Sequence, residues 1–355
     1  MSAAGDVRLT RRYYACRHCG QTATPLDEWA GLEKGHLTIG AQQMAALAAT
    51  GWSFDQASAN LFHLCGVRIS DQTIRRAALR EGVKVQRWQR QAPEAIAHLQ
   101  QAAGVREFLA DGAMVNTREG WRELRLSIFS KRPPGEPRDP TSFTGLENRH
   151  LPKPTATVVL ARQAGSERQG DLWQETSERL GWGDGLGVSV IADGAAWIAA
   201  QVQRVFPRAQ RVVDVYHVSG HLHDCGEALH PKDHDAARPW ARDRLTELVQ
   251  HGPEVLLWTL DQQRSRSAEP EQEAALAALM DYLQPHIEAM PYGQRLKGGL
   301  PIGSGQVEGA CKTIIGRRLK LNSARWKSNH TEPMAALCSL IHTNQWDTYW
   351  SNRAA

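Results

Sequence analysis

Nowhere does this chain run through about 18 consecutive apolar residues, so no membrane span is expected. The N-terminus has no apolar core of the kind that marks a secretory signal. Cysteine is scarce: six in 355 residues, mostly isolated, which fits a reducing cytoplasm rather than a disulfide framework. No Gly-x-x-x-x-Gly-Lys-Ser/Thr run is present, which argues against an ATP-driven machine and leaves any phosphoryl chemistry to draw on the phosphodiester itself. An excess of one charge is also missing, since the net charge is only +4. The whole-chain balance therefore says little about partners.

The distribution of charge says more. Residues 1–90 hold twelve Lys/Arg against seven Asp/Glu, and every charged residue of 309–331 is basic. That second run follows a single acid, Glu308, in Gly303-Ser-Gly-Gln-Val-Glu-Gly309. Lys312, Arg317, Arg318, Lys320, Arg325 and Lys327 come next, with no acid before Glu332. A carboxylate heading a cationic helix makes sense if the acid holds a metal ion while the cations hold a phosphate backbone. A solvated basic face is the plainer alternative.

The N-terminal end carries Cys16-Arg-His-Cys19-Gly20, half of a zinc ribbon; the second Cys-x-x-Cys is absent, and His18, His36, His63 and Cys65 are the nearby substitutes. Residues 53–82 read as two helices. Ser53 caps the first, whose stripe is Phe54, Ala57, Leu61 and Leu64. Gly66-Val67 turns the chain, and Ser70 or Asp71 caps a second helix from Gln72 to Arg80. Gln72, Arg75, Arg76 and Arg80 on that helix are residue types that reach bases and phosphates, as in a helix-turn-helix unit. From Val105 the period becomes two: strands are expected at 106–115, through Leu124, Leu126 and Ile128 alternating with Arg125 and Ser127, at 155–161, at 187–192 and at 211–213. Helices at 168–180 and 195–205 separate the last three. Residues 231–300 read as all-helical, and a final helix is expected over 332–346.

Two further carboxylates lie in apolar strand-like runs, Asp111 in Phe108-Leu-Ala-Asp-Gly112 and Asp193 in Val188-Ser-Val-Ile-Ala-Asp-Gly194. Asp-Gly is a common turn dipeptide. For Asp111 that explanation is weak, because 116–120 already supplies the hairpin turn and leaves a charge inside a strand. Asp193 reads equally well as a helix cap and as a ligand at a strand's carboxyl end. Asp111, Asp193 and Glu308 together suit two Mg²⁺ or Mn²⁺ ions, hard cations that take oxygen ligands and can activate one oxygen while stabilising another.

These residues resemble those of DDE transposases of bacterial insertion sequences, close to the Mutator-like and ISKra-type groups. Asp111, Asp193 and Glu308 match the family's three catalytic acids, Asp214-Val-Tyr-His217 its Asp/Cys-x-x-His signature, and Gly303–Gly309 with Lys312, Arg317, Leu319, Lys320, Arg325 and Trp326 the block around the third acid. The resemblance covers about 105–345. It implies an RNase H-like mixed sheet interrupted by an all-helical insertion, with catalysis by the three acids, His217 near the site, and strand cleavage and transfer on element ends. His217, His221 and Cys225, spaced i, i+4, i+8, could otherwise form a zinc stripe. The half-ribbon is a departure, and implies a chain shorter at its N-terminus than such relatives.

The expected α/β architecture is a partial zinc-ribbon-like region over 1–36, a helix-turn-helix DNA-binding region over 37–100, an RNase H-like core over 101–230 and 301–355, and the helical insertion over 231–300. Expected partners are double-stranded DNA with terminal inverted repeats, target DNA, and further copies of the chain on that DNA; the expected location is the bacterial cytoplasm, in association with the nucleoid. The competing readings are a nuclease or resolvase without strand transfer, and an inactive DNA-binding relic.

Overall fold

In the computed structural model, residues 1–29, 32, 37–146, 151–231 and 233–354 are described. A two-strand hairpin, β1 (Tyr14–Ala15) and β2 (Thr22–Ala23), precedes the short α1 (Pro25–Trp29). Three helices follow: α2 (Ile39–Gly51), α3 (Phe54–Cys65) and α4 (Asp71–Gln91). Ser53 stands at the N-cap of α3 and Ser70 at that of α4, where its hydroxyl accepts from Thr73 N–H. Ala57 and Leu61 of α3 are buried, whereas Leu64 is 73% exposed and does not belong to the stripe expected for it.

The second helix runs to Gln91 rather than stopping at Arg80. Gly82 ends the apparent pattern in sequence, but here it serves close packing: a Cβ at residue 82 would lie 2.1 Å from the Pro333 carbonyl oxygen. Beyond it, Gln89 Nε2 donates to Val159 O and Ser339 Oγ at 3.1 and 2.9 Å. The basic helix is thus rooted in the body of the protein.

After α5 (Glu94–Gln101) come the long strands β3 (Val105–Thr117) and β4 (Gly120–Arg132), then β5 (Ala156–Arg162), α6 (Ser166–Leu180), β6 (Val188–Ala192), α7 (Ala196–Val205) and β7 (Gln210–Val213). They form one five-stranded mixed sheet in the order β5-β4-β3-β6-β7. β3 is antiparallel to β4 and parallel to β6. Pleating sends Phe108, Phe129, Val190 and Ala192 to the face covered by α6 and α7, and Leu109, Leu126, Ile128 and Ile191 to the opposite face. Ser127 was expected on a solvated face, but both faces are covered. It is fully buried, and its hydroxyl accepts from Gln169 Nε2 and Trp173 Nε1 at 2.7 and 2.6 Å.

The helical stretch consists of α8 (Val215–Leu229), α9 (His234–His251), α10 (Pro253–Ser265), α11 (Pro270–Leu283) and α12 (Tyr292–Lys297). It is tied to the sheet: Tyr292 Oη donates to Val213 O at 2.8 Å, and the fully buried Arg295 donates to Ser189 Oγ and Gln210 Oε1. α13 (Gly305–Ala310) carries Glu308 and leads into a π-helical turn, Cys311–Gly316, and the brief α14 (Arg317–Leu319). The single cationic helix is therefore corrected: the regular helix after Glu308 is short, and Arg325 and Lys327 lie beyond it. The last expected helix is two, α15 (Ser328–His342) and α16 (Trp346–Ala354), separated at Asn344, whose φ of 56° leaves the helical range. Among the described residues no helix is long and apolar enough to cross a membrane.

Candidate active site

Parallel pairing of β3 with β6 runs Arg106↔Val188 to Leu109↔Ile191. Carried two residues on, the same offset sets Asp111 against Asp193. Both lie on the face that carries Leu109 and Ile191, and strands sit about 4.8 Å apart. Asp111 is inside β3, paired across to Leu126. Gly112 makes no turn there; a Cβ on it would run into the Glu123 side chain. Asp193 does begin a turn: its Oδ1 accepts from Ala195 N–H at 2.9 Å, and Gly194 takes φ 84° with His286 Nε2 3.2 Å from where a Cβ would stand. Cap and strand-end acid are here one residue.

The two acids titrate in opposite directions. Burial pushes the Asp111 carboxyl up, opposed by the Gly112 N–H at 2.6 Å, and the neighbouring Asp193 charge pushes it further. Burial also acts on Asp193, but His217 and the Ala195 N–H outweigh it and hold its pKa below the usual value. His217 Nε2 lies 3.7 Å from Asp193 Oδ2, and its interaction with that carboxylate raises the imidazole pKa against the effect of burial. His217 thus belongs to the acidic cluster, on the first turn of α8.

Glu308 stands on α13, which packs against β3, but its carboxylate is bound elsewhere. Its side chain is 57% exposed and accepts from Lys312 Nζ at 2.6 Å, one turn along. The link back to β3 is Cys311, whose thiol reaches Asp111 and is pushed up to about 12 by burial and by that carboxylate. Among the described residues, no three of His, Cys, Asp and Glu stand close enough to hold one metal ion. The structure brings Asp111, Asp193 and His217 together and leaves Glu308 at their margin.

Asp214, noted in sequence only as part of a signature, holds the two halves of the site together. It is buried; its Oδ1 accepts from Tyr216 N–H and Ser304 N–H, and its Oδ2 from the Ser304 hydroxyl at 2.6 Å. Val215 N–H also donates to Ile302 O. Gly303 lets the Tyr216 ring lie close, since a Cβ would stand 2.8 Å from it. The Gly-Ser-Gly run is therefore a seat for the start of α8, and it delivers Glu308 to the sheet. An Asp between a strand and a helix signalled a cap; nothing in sequence paired it with Ser304.

The remaining candidates disperse. Lys312, Arg317 and Lys320 are exposed, whereas Arg318 is 2% exposed. Gln72 and Arg75 stand near Arg325 and Lys327 around a separate cavity, while Arg76 is exposed and Arg80 half-buried on other faces of α4. His221 stacks on Tyr282 with ring centroids 3.7 Å apart, and Cys225 is buried with its thiol pushed up to about 11, so the i, i+4, i+8 stripe does not face one ion. Cys16 and Cys19 are exposed on the β1–β2 loop, where Gly20 N–H donates to Cys16 O and the Cys19 and His18 N–H groups lower the Cys16 pKa. His36 lies outside the described residues.

A family model described as an uncharacterised protein family, UPF0236, matches residues 1–342. The chain belongs to UPF0236. No curated protein matches it. The match takes in Asp111, Asp193, Asp214, His217 and Glu308, so this UPF0236 chain carries its whole acidic site inside the family's span.

Proposed function

We propose that the chain is a DDE-type transposase, cutting and joining DNA at the ends of an insertion sequence with Asp111, Asp193 and Glu308 as its acids. The observation that carries this reading is the register-matched pair of half-buried carboxylates on adjacent parallel strands, a costly arrangement unless something uses the charge. The strand order β5-β4-β3-β6-β7, with one antiparallel and one parallel half, supports an RNase H-like sheet. Asp111 and Asp193 fit a divalent cation, and Glu308 joins them if it leaves Lys312, an exposed pair worth about 0–1 kcal/mol. Mg²⁺ or Mn²⁺ there would supply activation of the attacking oxygen and charge neutralisation at the leaving one. His217, whose pKa the Asp193 carboxylate raises, stands where it can hold a proton against that acid. Duplex DNA with inverted-repeat ends, target DNA and further copies of the chain are the partners this reading requires.

The test is metal-dependent nicking of duplex DNA. Asp111→Asn, Asp193→Asn and Glu308→Gln should each abolish it while DNA affinity stays within about twofold of wild type, since phosphate contacts dominate affinity. A variant with near-normal nicking removes that residue from the site. Joining of precut ends separates a transposase from a nuclease that only hydrolyses. The Glu308–Lys312 pair favours a second reading, a DNA-binding relic; nicking above the chelated control excludes it.

A further inference from the structure

Away from the acids, a cavity of about 470 Å³ opens where three parts of the chain meet. One wall is the starts of α3 and α4, with Asp55, Asp71 and Arg75; another is the β3–β4 turn with Arg118; the third is the loop from Arg318 to His330. Trp326 joins the last two: Arg118 N–H donates to Trp326 O, and Trp326 N–H to Asn116 O. Ser323 keeps φ 62° in this loop, a conformation a non-glycine residue seldom takes.

The charges here are not balanced from within. Arg75, Arg118, Arg318, Arg325 and Lys327 line the cavity against Asp55 and Asp71, so three positive charges are left over. Glu119 nearby is committed to the Ser328 N–H and hydroxyl. Arg318 decides the matter. It is 2% exposed and lies over the Phe54 and Trp326 rings at 4.7 and 4.9 Å; its Nε donates to Ala49 O, and its Nη2 is buried without a partner. A buried guanidinium with no acid beside it is expensive, and its charge, unscreened by a counterion, adds to the positive field of the cleft above it.

We propose that this cleft holds consecutive phosphates of a nucleic-acid strand, bridging the N-terminal helices and the Arg318–His330 loop. A single phosphodiester carries one charge and would leave most of the cleft's excess unmatched; adjacent phosphates along a strand match it. Arg318 forms the floor, and Arg118, Arg325 and Lys327 at the exposed rim track the backbone. The site regroups the expected DNA-binding residues: Gln72, Arg75, Arg318, Arg325 and Lys327 belong to it, Arg118 and His330 are added, and Arg76, Arg80, Lys312, Arg317 and Lys320 stay outside. It deepens the DNA reading above without requiring that the acids be catalytic.

The experiment measures binding of a short labelled duplex by fluorescence anisotropy across a salt series, in the Asp111→Asn background so that no chemistry intervenes. Arg118→Gln with Arg325→Gln, both exposed positions, should weaken binding about tenfold or more and reduce the log–log salt slope by about two. Arg242→Gln, an exposed arginine on α9, should change neither beyond the effect of one distant charge. Arg318→Met should weaken binding further; if it fails to fold, the rim pair still decides. Unchanged affinity and slope in the rim pair overturn the proposal. So does a free mononucleotide or inorganic phosphate that saturates the cleft at micromolar concentration while the duplex does not compete, which would make it a small-ligand site. Nicking that fails while the rim pair behaves as expected sinks the catalytic reading and leaves the cleft standing.

Discussion

The acidic edge and the basic cleft are opposite solutions to the same imbalance. At the edge, Asp111 and Asp193 face each other with the His217 ring beside them, and Cys311 supplies a thiol instead of a charge. In the cleft, five cations outnumber two acids and one guanidinium is buried. Elsewhere this protein pairs its buried charges: Glu107 takes Arg132 Nε on both oxygens, and Glu81 takes Tyr349 and Arg353. Among the described residues, no such buried arginine–carboxylate pair is formed at the edge or in the cleft. Under the proposed reading, a phosphodiester and its divalent cation supply what each place lacks.

Three measurements break or sharpen that contrast. The largest effect is expected from Asp214→Ala, which leaves the Ser304 and Tyr216 N–H groups unpartnered. It should cost about 3 kcal/mol in denaturant unfolding and abolish nicking, while the cleft's DNA affinity falls far less. Equal loss at both places would mean that the edge and the cleft are not separable.

A smaller effect distinguishes the two acids in metal-free protein. The Asp111 pKa is raised on folding, so its stabilising contribution is present at low pH and is lost as pH rises through the folded pKa. Asp193 is lowered, so its contribution is present above the unfolded pKa of about 3.9 and is lost as pH falls through the folded value. At neutral pH, Asp111→Asn should therefore stabilise by roughly 0.5–2 kcal/mol, and Asp193→Asn should destabilise. Matching shifts of the same sign would contradict the assignment of which acid is strained.

The smallest effect lies in the cleft. His330 is held below its usual pKa by burial and then by Arg75, Lys327 and Arg118, with Glu119 opposing them. In the free protein the neutral ring is favoured, so this contribution to stability is lost as pH falls below about 6.5. Bound phosphates would offset those cations, so binding should take up a proton and strengthen a few-fold between about pH 7.5 and 6. His330→Gln should flatten that dependence; an unchanged pH profile would place the strand elsewhere.

Much of the sheet was legible because both of its periodicities were uninterrupted. β3, β5, β6 and β7 fall within a residue or two of the strands read from the sequence, β4 extends four residues beyond the alternating run at each end, and Asp111 is inside its strand because the turn lies at Arg118-Glu119. The convergence of Asp111 and Asp193 follows from the same strands. What stayed hidden depends on packing between distant segments. The second helix reads in sequence as ending at Arg80, eleven residues short of Gln91, because the packing that continues it, Gly82 against Pro333, joins segments far apart in the chain. Arg318 looked like surface charge because the π-turn at Cys311–Gly316 shifts the helical phase that sets which side chains turn inward. Leu64 looked apolar and therefore buried, yet nothing covers it.

β3 links the edge to the cleft directly, since Arg118 follows Asp111 by seven residues along one extended strand. At about 3.3 Å per residue that is roughly 23 Å. With β4 paired along its whole length and Trp326 bonded to the strand's end, this length has little room to vary. On the proposed reading the strand would serve as a measuring rod: a duplex rising about 3.4 Å per base pair and gripped at the arginines would meet the carboxylates some seven steps away, and the position of the cut would be fixed by the protein's own span.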